Sequence, residues 1–396
     1  MSDAQAPAVR GAATGIARAQ MPALVIGILG IIACGIGMVV NGDELHKAWL
    51  PAFLFWFLIA AGSLAVLMLQ YVTGGEWGVL IRRPLGAAAR TIPLFLIFLL
   101  PVGIALPHVY EWARPDWHTH GMKSAYLTQS AWWYRTLFYF AVWTLWAYML
   151  RRLSVRFYED RSPDTDGKRR KLAAAGLLMI VLTLTLCSVD WLMSLEPDWF
   201  SSMFGISFTV GAGLSAFAFV TFFLTLISGT KAMRDIVKPN HFRDLGNLML
   251  AFTMLWAYTA FSQFLLIWYG NIKEEVPYYL TRTHHGWGIL AFALVMFHFF
   301  LPFFMLLMRN IKDRPQTIAI VTIIVLIMRF VDLYWLSGPA WWPELHLSWM
   351  SLAAFAAIGG IWLFIFIWQL KGQTIIPIHE TWVEEALREG ALNVNA

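Results

Sequence analysis

The sequence predicts an all-α integral membrane protein of about ten transmembrane helices, arranged as two repeated four-helix bundles with two peripheral helices. Three observations carry that expectation. The 396-residue chain is 59% hydrophobic and only 13% charged. Apolar runs close to the length of a bilayer-crossing helix recur along it. Two stretches match: Val189-Asp190 and Val331-Asp332 are each followed by six residues, Pro, one residue and Trp, ending at Trp199 and Trp341. Each stretch closes a long apolar run, which points to an internal duplication.

The ten runs are Met21–Val40, Trp49–Val72, Thr91–Leu106, Ala131–Leu150, Leu172–Leu195, Met203–Ile227, Leu245–Gly270, Gly286–Met308, Thr317–Leu336 and Leu347–Leu370. The first is too long for a typical signal peptide and lacks a following cleavage site, so it reads as a span. The third is short and interrupted by Pro101. Before it, Gly78–Arg90 reads as an amphipathic surface segment with three arginines. Arg151–Lys171 mixes basic and acidic residues and reads as a solvated loop near lipid headgroups. Segment 1–20 precedes a membrane domain at 21–370, and a polar tail at 371–396 carries a short helix-like Glu380–Arg388.

The duplication extends to small residues. The second run holds Ala60-Ala-Gly-Ser63 and the sixth Gly211-Ala-Gly-Leu-Ser215. Such residues let helices pack closely. Helices 2–5 therefore match 6–9, at about 49–200 and 203–342. Four helices per unit keep the repeats parallel.

Charge sets the orientation. The N-terminal segment, the tail and connections 2–3, 4–5, 6–7 and 8–9 carry 22 of the 29 Lys and Arg, against five in the connections on the other side. Both termini are expected in the cytoplasm, and both Val-Asp motifs towards the periplasm. Nothing resembles a nucleic-acid footprint; the lipid bilayer is the expected surroundings.

An ionisable group inside a membrane run is costly and is a functional hypothesis by default. Asp190 and Asp332 are candidates for proton exchange or quinol-headgroup binding. The plainer reading makes them structural anchors of helix ends. Arg329 sits three residues before Asp332 on one helical face, so a local ion pair is expected. Asp190 has no basic neighbour within its own helix and is expected to be the freer acid. Thr183, Thr185 and Ser188 lead towards it as proton-transfer candidates; His298, Arg329 and Asp332 form the second set. His298 is the one histidine well inside a run. A b-type haem wants two facing histidines, so haem is not expected. Cys34 and Cys187 are too few for an iron–sulfur cluster, and a disulfide between them stays open. His118-x-His120 is weak metal evidence without further ligands. No metal site and no certain catalytic residue is expected. The polar seventh run (Thr253, Tyr258, Thr259, Ser262, Gln263) reads first as interhelical glue.

Three stretches carry a resemblance: Ser188–Phe200; Asp244–Phe252 with Trp256-Ala-Tyr, Phe261-Ser-Gln-Phe and Trp268–Glu275; and Lys123-Ser-Ala-Tyr-Leu with Arg135 and Tyr139-Phe. Together they resemble the ActF-type membrane subunits of bacterial alternative complex III, within the NrfD/polysulfide-reductase-like family. The resemblance covers about residues 45–380. It implies ten helices with two four-helix bundles in the bacterial inner membrane. It implies a scaffold, with a proton-conducting or quinol-interacting role, in a complex that oxidises a quinol such as menaquinol. Partners would be a paired NrfD-like subunit (ActC), a periplasmic iron–sulfur subunit, c-type cytochrome subunits and small membrane subunits. Haem c and the iron–sulfur clusters would sit in those partners, with no cofactor bound by this chain. The quinol-site candidates are His108, Glu111 and Asp190. Two other readings stay open: a secondary transporter, since parallel repeats and buried acids fit that class too, and a purely structural membrane subunit.

Overall fold

The computed structural model describes residues 17–118, 122–160, 162–234 and 236–371. Every regular element among them is helical, and seven helices are long and apolar enough to cross a membrane, or eight if one bent pair is a single span. The chain is an all-α, multi-pass membrane protein. The expected Glu380–Arg388 helix lies outside the described residues.

The first helix, α1 (Gln20–Thr73), has 54 residues but leaves helical geometry at Asn41 (φ −158°, ψ 89°). The Asn41 side chain accepts the Glu44 N–H at 3.2 Å, as a helix N-cap does. Before the break, Ala23, Gly27, Gly30, Cys34 and Gly37 form a buried stripe of small residues against α11 (Trp349–Lys371), while the opposite side is exposed. A Cβ on Gly30 would run into the Ala357 backbone, so glycine permits this close crossing. After the break, α1 is buried almost throughout.

The next apolar segment is a bent pair, α2 (Arg82–Ala89) and α3 (Ile92–Ile104), inclined at 41°. The structure corrects the surface reading of 78–90: Pro84, Leu85 and Ala87–Ala89 are buried, because small side chains let α2 tuck against α1. The helix also continues through Pro101 to Ile104. The loop expected at Arg151–Lys171 is mostly helical. α4 (Gln129–Asp160) runs into it as far as Asp160, and α5 (Pro163–Trp191) starts at an N-cap, where Ser162 Oγ accepts the Asp164 N–H at 3.3 Å. Pairs such as Lys168–Asp164 and Arg170–Asp166, one turn apart, favour helix over loop.

α6 (Phe204–Ser228) is the second deeply buried helix and lies against α1. A Cβ on Gly62 of α1 would strike the Ala212 carbonyl of α6, so the two small-residue stretches pack on each other. α7 (Pro239–Gly270), α8 (Val276–Thr283), α9 (Trp287–Leu307) and α10 (Pro315–Ser337) complete the set before α11. The middle of α9, Leu294–Phe300, is a π-helical turn. Cys34 and Cys187 are both free and buried, which closes the disulfide question.

Candidate functional site

Both Val-Asp carboxylates are buried at helix ends, and each is held differently. Asp190, at the end of α5, is fully buried. Arg135 of α4 reaches it: Nε donates to Oδ1 at 3.1 Å and Oδ2 at 3.0 Å. Nη2 lies 2.9 Å from Oδ1 as a charge contact without hydrogen-bond alignment. Tyr139, one turn beyond Arg135 on α4, donates its hydroxyl to Oδ2 at 2.7 Å. The guanidinium also sits 3.8 Å over the Tyr126 ring and donates to the Tyr126 carbonyl at 3.0 Å. Burial first, then the Asp190 charge, pushes the Tyr126 phenol well up, so it stays protonated. The same two causes push up Tyr110, which donates to the Trp191 carbonyl at 2.8 Å. Trp132 and Ser194 satisfy the Asp190 carbonyl at 3.0 and 2.7 Å.

This geometry corrects one expectation. Asp190 is not the freer acid; its cation comes from the neighbouring helix rather than its own. Arg135 and Tyr139 belong to the site although composition and spacing along α5 did not point to them. A usable sign was present: Arg135 is an ionisable residue inside the fourth apolar run, and such a residue needs a partner.

The hydroxyls leading to Asp190 do not form a chain. Thr183 accepts from Trp143 Nε1 at 2.7 Å and donates to the Met179 carbonyl at 2.7 Å. Ser188 donates to the Thr185 carbonyl at 2.7 Å. Thr185 lies against Gly205 of α6, where a Cβ would meet it. No hydrogen bond among the described residues links any of the three side chains to the Asp190 carboxylate. His108 and Glu111 are not brought to it either. His108 Nδ1 is 2.7 Å from Asp43 and its ring stacks on His46, while Glu111 is exposed.

The second site is built around α10. Arg329 Nη1 donates to Asp332 Oδ2, the expected pairing within one helix. The guanidinium lies against Gly211 of α6, where a Cβ would strike it, and Nε donates weakly to Ser215 Oγ at 3.4 Å. The small residues of α6 thus make room for a buried arginine. Trp256 of α7 lines the same cavity as Asp332. His298, in the π-helical turn of α9, is fully buried with its ring 4.2 Å from that of Trp256. Neither of its ring nitrogens has a hydrogen-bond partner among the described residues. Such π-turns are frequent at functional positions.

A cavity of about 780 Å³ opens beside this pair. Arg329, Asp332, Gln263 and Tyr279 are among its polar groups, and Phe292 and Trp335 among its apolar walls. Gln263 is fixed between Ser201 Oγ and the Tyr279 hydroxyl, each at 3.2 Å. Burial pushes the Tyr279 phenol up to about 12. Thr259 and Ser262 donate to carbonyls of their own helix.

The closing tryptophans of the two motifs dock crosswise. Trp199 stacks on Tyr278 of α8 at 3.6 Å with 7° between planes. Trp341 donates to the Val109 carbonyl at 2.8 Å. Glu196, beside Trp199, accepts from the buried Arg282 of α8 at 2.5 Å. Each motif therefore fastens the half of the chain that does not contain it.

Among the described residues no group of three His, Cys, Asp or Glu could hold a metal ion. His118 is exposed and His120 lies outside the described residues. No family model matches the chain, and no curated protein matches it either.

Proposed function

We propose that the chain is a membrane subunit of a quinol-oxidising electron-transfer complex of the alternative complex III kind, serving as scaffold and proton-handling partner. The sequence resemblance to ActF-type subunits motivates the identity. The crosswise docking of the two Val-Asp-x6-Pro-x-Trp motifs is the observation that carries the scaffold reading. Two equivalent motifs, each closing over the other half, are what a duplicated and fused four-helix unit produces about a pseudo-twofold axis. On this reading the ten spans are the two segments of α1, the bent pair α2–α3, then α4, α5, α6, α7, α9, α10 and α11. The chain sits in a bacterial inner membrane with both termini cytoplasmic. The haem c and iron–sulfur groups belong to partner subunits, including the paired NrfD-like one.

Proton handling is assigned to His298, Arg329 and Asp332 rather than to the α5 hydroxyls, of which Thr183 and Ser188 donate to backbone carbonyls. The cavity at Arg329–Asp332 gives the quinol-interacting role a better place than His108 and Glu111. Its size, apolar walls and few convergent polar groups suit one lipophilic ring. His298 adds a buried imidazole whose ring nitrogens have no hydrogen-bond partner among the described residues.

The test is purification of the full chain from its native membrane in mild detergent. Co-purification with c-type haem absorbance and iron–sulfur proteins is expected. A solitary protein that moves a solute across reconstituted vesicles would overturn the reading in favour of a transporter. Within the assembled complex, Asp332→Asn is expected to lower quinol oxidation or proton translocation. Thr183→Val is expected to leave both unchanged.

A further inference from the structure

At the end of the molecule away from the Val-Asp motifs lies a second cavity, of about 810 Å³. Arg151 on its wall is sixteen residues along α4 from Arg135, which places it roughly 24 Å further along the helix axis. Five cationic side chains line this cavity: Arg82, Arg83, Arg90, Arg151 and Lys371. Among the described residues no Asp or Glu lines it. Like charges gathered around one space repel, so the arrangement favours an anion inside it.

Some of the cations are positioned by their neighbours. Arg90 donates Nε to Gln369 Oε1 at 2.9 Å and Nη2 to the Gln369 carbonyl at 3.1 Å. Arg83 lies over the Tyr158 ring at 4.6 Å, and its Nε is buried without a hydrogen-bond acceptor. Arg151 and Lys371 are exposed. The remaining wall includes Leu64, Leu67 and Leu150, the paired hydroxyls of Tyr71 and Ser154, and the exposed ring of Trp368. A tryptophan at a helix end beside arginines marks the headgroup level of a bilayer.

We infer that this cavity is a binding site for an anionic phospholipid, with its phosphate among the Arg83, Arg90 and Arg151 guanidinium groups and an acyl chain along the leucine wall. Guanidinium groups pair with phosphate oxygens through two parallel N–H donors. A free phosphate would leave the apolar wall unused, whereas a zwitterionic lipid would bring a cation into a site already crowded with them. Basic pockets between membrane helices suit such headgroups. The inference does not depend on the electron-transfer reading above.

The test uses the full chain, purified in mild detergent and washed free of native lipid. Thermal unfolding is followed with added dioleoyl-phosphatidylglycerol, dioleoyl-phosphatidylcholine or inorganic phosphate at matched ionic strength. Phosphatidylglycerol is expected to raise Tm by several degrees and the other two to do little. The double variant Arg83→Gln/Arg151→Gln is expected to need roughly 30-fold more phosphatidylglycerol for the same shift. Should it fail to fold, the exposed pair Arg151→Gln/Lys371→Gln gives the same readout. Equal shifts from both lipids, an equal shift from phosphate, or unchanged titrations in the variants would each overturn the inference. So would a phosphatidylglycerol effect that emerges only after residues 372–396 are deleted, because the tail would then own the cavity.

Discussion

Asp190 and Asp332 stand at the same place in two similar stretches, yet their surroundings diverge. Asp190 is closed in by a neighbouring helix: Arg135 and Tyr139 occupy its oxygens, and Trp132 and Ser194 occupy its carbonyl. Asp332 takes its cation from its own helix and keeps a face on a large cavity. A cation supplied from another helix ties two elements together, so its loss is felt by the fold. A cation supplied one turn away costs the fold less to rearrange, and leaves the acid open to a ligand or a proton. The matching position thus serves one side as a clasp and the other as a candidate site.

The largest effect should come from breaking the clasp. Arg135→Leu leaves the Asp190 carboxylate buried without its cation, and losing one partner of a buried pair costs about 3–5 kcal/mol. Thermal unfolding in detergent should show the drop, and Arg135→Leu/Asp190→Asn should recover part of it. A drop no larger than that of Asp332→Asn would remove the distinction drawn between the two acids.

Tyr139→Phe removes one donor at 2.7 Å to Asp190 Oδ2 and keeps the ring. A hydrogen bond to a charged group contributes about 1.5–3 kcal/mol, so unfolding should shift by a value in that range. Gly211→Ala tests the other side. The added methyl meets the Arg329 guanidinium, and such overpacking costs about 1–3 kcal/mol. The arginine borders the cavity and has somewhere to go, so the lower end is expected. Gly211→Ala should also change ligand access to the cavity, which Tyr139→Phe should not.

Much of the scaffold was legible in the chain, for physical reasons. A bilayer demands long apolar helices, and a costly acid within one is conspicuous; hence the all-helical apolar character, the buried acids Asp190 and Asp332 and the Arg329 pairing could be read directly. Other features depend on three dimensions. Nothing in the α5 sequence names Arg135, because the pairing crosses from another helix 55 positions earlier. Pro163 and the Asp164/Lys168 and Asp166/Arg170 spacings could have revealed the helical ends of the basic connection, where charge alone suggested a loop. The small residues of α6 were read as a packing face. Their closeness to Arg329 needed the fold, as did the orphaned imidazole of His298 and both cavities.

The smallest expected effect is the most discriminating about how Arg329 is held. Ser215→Ala removes only a long contact, 3.4 Å from Arg329 Nε, and the serine already donates to the Gly211 carbonyl at 2.8 Å. The pair with Asp332 remains, so stability should fall by about 0.5 kcal/mol or less. A Ser215→Ala loss as large as that of Tyr139→Phe would mean that α6 anchors Arg329 as firmly as α4 anchors Asp190. The second acid would then be another clasp, and the open side of the cavity would no longer set it apart.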